Sequence, residues 1–381
     1  VPAHNKRSPD SPSGSSRWLK GPHRGRTITI AAVVIVLVGF SAGIFATSGT
    51  HKPKKKSHAK TVYQPKLAVN LCPLTDTPAP GGVVPRRPAL LIKIGNEPPQ
   101  DGNARPQSGL NEADIVFDTP AEGFIMRYVA VYQCNDASSI GPVRSVRWVD
   151  YHMIARMFYN PILAFAGGID PNIEGVQANS SWLSAANLLD GAQGAGTRVS
   201  SRQEPDNLYT STTALYALFK SKTSPPPSIF SYSASVPPGA TPAASFGINF
   251  SYGTDVIWNW DATTKMWLHT YSGSPDVDTL TGQQVSTANI VVAIVDYRIG
   301  PYSESTGGTG DIESELEGSG PGYVLRDGTV VKVTWHRSDL VSGLTFTNAA
   351  GQRVDLAPGR TWVEIDPNTQ ADAPGGITID K

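Results

Sequence analysis

Arg144 and Arg147 stand three residues apart in the run IGPVRSVR, directly after Ile140-Gly141-Pro142. Proline suits a first helical position because it lacks the amide hydrogen that would go unbonded there, so a helix is expected from near Val143. Both guanidinium groups then fall on its first turns, where the helix dipole repels cations. Something negative must answer them. A bound anion would do so through two guanidinium forks and free backbone amides. An internal carboxylate would serve equally, with Asp114, Asp118 and Glu122 the nearest in sequence. Arg105, in an Ala-Arg-Pro-Gln turn, and Arg127, inside the otherwise apolar run FIMRYVAVYQ, each need a partner or a cleft as well. Four arginines outnumber the three carboxylates just named, which favours an anionic or carboxylate-bearing ligand. Charge-assisted hydrogen bonds contribute about 1.5–3 kcal/mol each, whereas micromolar binding takes about 8 kcal/mol net, so Tyr128, Trp148 and Tyr151 would have to help. Gly167-Gly168, after the run PILAFA, allows backbone amides to approach a ligand, or makes a plain tight turn. The candidate ligand-binding set is therefore Arg105, Asp114, Glu122, Arg127, Arg144, Arg147, Gly167 and Gly168.

Catalysis is the competing reading. A hydrolase needs a nucleophile beside a base, and residues after the tether offer only His152, His269 and His336. His152 falls in a helical pattern and His336 follows a strand tryptophan, so packing or exposure accounts for both. No G-x-S-x-G, H-E-x-x-H or Walker pattern occurs. Carboxylate acid/base chemistry by Asp114 and Glu122, acting on a cell-wall polymer, is the alternative that remains. The acidic run Asp311, Glu313, Glu315, Glu317 sits among Gly and Ser and reads as a solvated segment without EF-hand spacing. No metal site and no cofactor is expected.

The elements that must hold these residues alternate at first. ALLIKI (89–94), ADIVFD (113–118), FIMRYVAVYQ (124–133) and PILAFAG (161–167) are strand-like. Val146, Val149, Met153, Ile154, Met157 and Phe158 recur at helical spacing, and a shorter helix is expected around Thr212 to Phe219. Farther on, DVIWNWD, MWLHTYSG, NIVVAIVDYR, GYVLRDGTVVKVTWHR and WVEID read as strands, with Asp327-Gly328 a strong hairpin turn. The fold class is α+β: a mixed α/β N-terminal domain followed by a mainly antiparallel β C-terminal domain.

The block ARPQSGLNEADIV followed by GPVRSVR resembles the YerB-like lipoprotein family, the DUF3048 domain, as do RDGTVVKVTW and the closing PGRTWV. That resemblance implies a layered sheet-sheet-helix sandwich for the N-terminal domain and supplies no reaction. Two departures stand out. Where the family shows E-G-G-I-T-R this chain has Glu122-Gly123-Phe124-Ile125-Met126-Arg127, and its P-H-x-D appears as Pro275-Asp276-Val277-Asp278. A role resting on that imidazole is not carried over.

Placement follows from the run TITIAAVVIVLVGFSAGIFA, roughly 20 residues without a charge, long enough as a helix to cross a membrane. It lacks a clear A-x-A exit, which favours an uncleaved anchor over a cleaved signal. Lys6, Arg7, Arg17, Lys20, Arg24 and Arg26 precede it, while Lys52, Lys54, Lys55, Lys56 and Lys60 follow. The large body behind it argues for export, N-terminus inside. Cys72 and Cys134 would be free to bridge in an oxidising compartment, closing a loop worth roughly 4 kcal/mol, or would remain buried thiols. The chain has 31 Pro, 37 Gly and zero net charge, so a turn-rich globular body is expected and a nucleic-acid partner is not. The expected order is a disordered cytoplasmic tail (1–26), a transmembrane signal anchor (27–47), a basic, Pro-rich tether (48–85), the first domain (86–220), a Pro-rich linker (221–245), the second domain (246–367) and a flexible tail (368–381). The expected function is a single-pass envelope protein whose extracytoplasmic body binds an anionic wall polymer, peptidoglycan or an envelope protein partner.

Overall fold

The N-terminal strands run β1 (Leu90–Ile94), β2 (Ile115–Pro120), β3 (Met126–Tyr132), β4 (Ile162–Phe165) and β5 (Ser184–Asn187). They come from a computed structural model that describes residues 70–97, 102, 104–250, 254–304, 308–367 and 376–381. The later strands are β6 (Ser245–Phe250), β7 (Thr254–Asp261), β8 (Met266–Tyr271), β9 (Asn289–Val295), β10 (Gly318–Arg326), β11 (Thr329–Arg337), β12 (Thr345–Asn348), β13 (Thr361–Pro367) and β14 (Ile377–Asp380). Two α-helices are short, α1 (Asp170–Ala178) and α2 (Thr212–Leu218), the second capped by Ser211 accepting from the Ala214 amide. The protein is mostly β, with mixed and antiparallel sheets.

The larger sheet has the order β12-β11-β10-β9-β13-β2-β3-β1-β4-β5, so strands from both sequence halves build it. β13, the last strand of this sheet in the chain, lies between β9 and β2 and pairs parallel with both. β1 pairs parallel with β4, and β4 with β5, while β3 runs antiparallel between β1 and β2. Seven strands, β11, β9, β13, β2, β1, β4 and β5, therefore point one way, and their C-terminal ends share one edge. This is the place where sheets of this kind form crevices.

Side chains alternate across the strands. Leu90, Ile92, Val116, Tyr128, Ile290 and Trp362 face the smaller antiparallel sheet, where Phe246, Ile248, Val256, Trp258 and Trp267 meet them. Leu91, Phe117, Val129, Val291, Val363 and Ile365 pack on the other face against Val149, Met153, Ile154, Phe158 and Val176. Asp327 and Gly328 both take positive φ and close the β10–β11 hairpin.

Several expectations are corrected. The Pro-rich stretch 221–245 does not separate the sheets: Ile229 and Phe230 are buried in the core, and the two-residue strand Thr241–Pro242 pairs with β11. Residues 66–381 form one compact unit. Within the expected tether, Leu74 is fully buried and Cys72 is bonded to Cys134 with Cα atoms 6.0 Å apart. Within the expected flexible tail, β14 adds an edge strand to β6. The tail 1–26 and the apolar run at 27–47 lie outside the described residues, and among those described no helix is long and apolar enough to cross a membrane.

Candidate functional site

Arg144 and Arg147 do not sit on a helix. Val143 bridges Ile94, the Arg144 amide donates to Lys93 O, and the Val146 amide donates to Gly167 O, so the segment is extended across the ends of β1 and β4. Sheet-like pairing takes the backbone groups that a helix would have used. Helical residues begin only at Trp148, with a π-helical turn over Asp150–Ile154. The dipole argument for these two arginines therefore falls away.

Their partners are internal carboxylates. Arg147, wholly buried, gives Nε and Nη2 to Glu122 Oε2 at 2.9 and 2.7 Å, and pairs with Glu304 at 2.9 Å and Asp311 at 3.3 Å. Arg144 reaches Asp206 at 2.6 Å and Glu97 at 3.0 Å. Arg127 also holds Glu97, at 2.7 Å. Burial would raise the Glu97 carboxyl, but the two arginines beside it keep it below the usual range. Lys93, buried in the middle of β1, donates to Asp150 at 2.7 Å and to Thr119 at 3.0 Å; burial pulls its ammonium below the usual lysine range despite Asp150. The expected guanidinium excess is thus overturned, because Glu97, Asp206, Glu304 and Asp311 arrive from distant sequence. Asp311 is buried in this network and Glu313 is buried against Arg298, so neither is solvated as expected.

Other candidates are also spoken for. Asp114 accepts from the Gln133 and Cys134 amides at 2.5 and 3.0 Å and from Asn135 Nδ2, and burial raises its carboxyl to about 6. It fastens the end of β3 beside the disulfide and does not meet Glu122, whose own oxygen serves Arg147. The Gly167 amide donates to Asn187 Oδ1, and both glycines take positive φ after β4. His152 stacks on Trp148, with ring centroids 4.2 Å apart, and His336 bonds Thr347 at 2.9 Å.

On the opposite face of the sheet a cleft remains. Arg105 gives Nη1 to Asp276 at 2.8 Å and Nη2 to the Tyr128 hydroxyl at 2.8 Å, and its guanidinium lies 3.2 Å from the centroid of Tyr271. The other Asp276 oxygen meets His269 Nδ1 at 2.9 Å, so an imidazole reaches this position from the neighbouring strand. Asp278 accepts from the Gly109 and Asn111 amides at 2.9 and 2.7 Å, clamping the Arg-Pro-Gln-Ser block to the Pro-x-x-Asp hairpin. A cleft of about 450 Å³ opens here between Pro106, Ser274, Pro275 and Arg105.

Behind it lies an acidic interior that the local sequence pattern did not bring forward. Asp118 and Glu364 are register partners on β2 and β13, both fully buried. Burial and the neighbouring Glu364 push Asp118 well above the carboxylate range; burial lifts Glu364 and Asp366 to about 7. Trp258 Nε1 donates to Glu364 at 2.9 Å, while both Asp118 oxygens and His269 Nε2 find no protein partner. The signal was available: Lys93, Glu364 and Asp366 interrupt apolar strands as Arg127 does. Among the described residues no group of three or more His, Cys, Asp or Glu side chains is arranged to hold a metal.

Comparisons with known proteins agree with this architecture. A crystal structure of YerB protein from Bacillus subtilis matches with a TM-score of 0.67 at 23% identity, covering 82% of this chain and 100% of that one. The protein named "Putative lipoprotein YerB" of Bacillus subtilis (strain 168) is 29% identical over 315 residues, 78% of this chain and 87% of that protein. Residues 74–225 match the family described as a protein of unknown function, DUF3048 N-terminal domain, and residues 246–363 match its C-terminal domain. The chain belongs to the YerB-like DUF3048 family.

Proposed function

We propose that this chain is an extracytoplasmic, envelope-associated protein that binds a sugar-bearing wall polymer in the cleft beside Arg105. The Cys72–Cys134 bond supports an oxidising compartment. The apolar run at 27–46 and the name of the Bacillus relative point to the same membrane surface. One observation carries the ligand site: the two motif blocks, around Arg105 and around Asp276, converge on an open cleft instead of vanishing into the core. Its chemistry shifts the expected ligand. Arg105 is already answered by Asp276, so a polyanion gains little, whereas serine hydroxyls, proline faces and a charged pair suit hydroxylated rings. Carboxylate hydrolysis is less well supported, because Asp114 and Glu122 are held apart by other partners and the Asp118–Glu364 pair is sealed from solvent.

The test is co-sedimentation of the full, detergent-solubilised chain with purified wall sacculi, with soluble glycan fragments as competitors. Ser274 is exposed at the rim, so Ser274→Trp fills the cleft without disturbing the core. It should lower sedimentation at least tenfold and leave the melting temperature unchanged. Undiminished sedimentation of Ser274→Trp would sink the cleft assignment, and capture by membrane proteins alone would replace the polymer with a protein partner.

A further inference from the structure

Arg156 differs from the arginines discussed above in having no carboxylate partner among the described residues. Its Nη2 donates to Asn179 Oδ1 at 3.0 Å, its guanidinium lies 4.9 Å from the Trp182 ring centroid, and its Nε has no hydrogen-bond partner. Trp182 Nε1 donates to the same Asn179 oxygen at 3.1 Å, which fixes the ring and the guanidinium against each other. Both line a cavity of about 310 Å³ floored by Met157 and Phe158 and walled by Tyr159, Pro227 and Val341. Tyr159 is 61% exposed and Val341 68%, so two large apolar side chains stand at the rim facing water. No acidic residue lines the cavity. Asp339, close in sequence to that rim, uses an oxygen on the Val341 and Ser342 amides of its own turn.

We propose that this cavity binds the free carboxylate terminus of a peptide ending in a small apolar residue. The charge argument comes first. A fixed, half-buried guanidinium with open donors and no internal anion is complementary to one carboxylate, which it can engage through parallel hydrogen bonds. Size and lining decide the rest. A space of this volume with aromatic, proline and valine walls receives one small aliphatic side chain beside the carboxylate, while Asn160 at its edge can meet the preceding peptide group. A phosphate or a sugar would leave the apolar walls unused. The site lies on the helical side of the large sheet, away from the Arg105 cleft, and does not depend on that cleft's ligand.

The full chain in detergent is titrated by calorimetry with N-acetyl-alanyl-alanine in its L,L and D,D forms, and with the matching carboxamides. Saturable binding of either free acid, weakened at least tenfold in its amide, is the expected result; the preferred hand tells a protein terminus from a wall peptide. Arg156→Gln should lose at least tenfold, and Arg156→Lys should recover some of that loss because it keeps the charge without the fork. Val341→Trp, made at an exposed position, should block the cavity with the melting temperature unchanged. Equal affinity for acid and amide, no saturable binding of either hand at millimolar concentration, or full affinity in Val341→Trp would each overturn the assignment. Ser274→Trp leaves this cavity intact, so failure here is distinguishable from failure of the glycan cleft.

Discussion

Replacing Arg147 by glutamine removes a fully buried cation shared by Glu122, Glu304 and Asp311 and leaves the buried Asp311 carboxylate facing two partly exposed acids. Breaking a buried ion pair from one side costs about 3–5 kcal/mol, so the denaturation midpoint of Arg147→Gln should fall by a matching amount. A change within about 0.5 kcal/mol, typical of surface substitutions, would mean that the network carries no stability and would reopen Arg147 as a ligand-binding side chain. Glu364 gives the converse case. Its folded pKa, about 7, lies above the unfolded value, so between roughly pH 4 and 7 the native state holds a proton that the unfolded state has released. Stability should therefore decline as pH rises through that window and level off above it. Glu364→Gln keeps an acceptor for Trp258 and carries no charge, so it should flatten the decline and raise stability above pH 7 by roughly 2–4 kcal/mol. Thermal scans at pH 5 and pH 8 check this; an unchanged slope in the variant would place the titration elsewhere. At this scale the sequence showed which cations needed answers but not what answered them. Glu97, Asp206 and Glu304 are distant from Arg144 and Arg147 along the chain, and local spacing holds no trace of a pairing made by tertiary folding.

Elements were more legible. ALLIKI, ADIVFD and the Asp327-Gly328 hairpin became strands and a turn close to their expected bounds, because β-branched runs and a turn needing positive φ carry their cause locally. The helix expected from Val143 was misplaced, since Pro142 precedes a segment whose amides are claimed by β1 and the turn after β4, a competition no local pattern displays. The direction of β13 was equally hidden: its apolar residues announce a buried strand, whereas its parallel seat between β9 and β2 depends on where both already lie. The Cys72–Cys134 bond also belongs to this scale, tying the segment before β1 to the end of β3 across a sequence separation of 62. Chain entropy assigns such a loop roughly 4 kcal/mol. Reduction should lower the melting temperature by several degrees, and Cys72→Ser with Cys134→Ser should reproduce the loss without reductant. Alkylation of both thiols in unreduced protein would show that the bond is not formed.

For the whole molecule, one β-sheet crosses what sequence composition divides into two domains. The composition shift at 221–245 is real, but Pro clusters interrupt secondary structure without revealing whether the strands on either side meet. They do meet: β13 pairs with β2 on one side and β9 on the other, Glu304 and Asp311 answer Arg147, and Asp278 clamps Gly109 and Asn111. Removing either half would expose an edge of the central sheet, uncover apolar residues on both of its faces and strand buried charges together. The two halves should therefore unfold as one. Denaturant titration followed by tryptophan fluorescence, to which Trp258, Trp267 and Trp362 between the sheets contribute, should coincide with titration followed by far-ultraviolet circular dichroism in a single transition. Residues 66–245 and 246–381 produced separately should each lack that cooperative transition and regain it on co-expression. Two separated transitions in the full chain, or cooperative unfolding of either fragment alone, would show that the shared sheet is not what binds the halves into one folding unit.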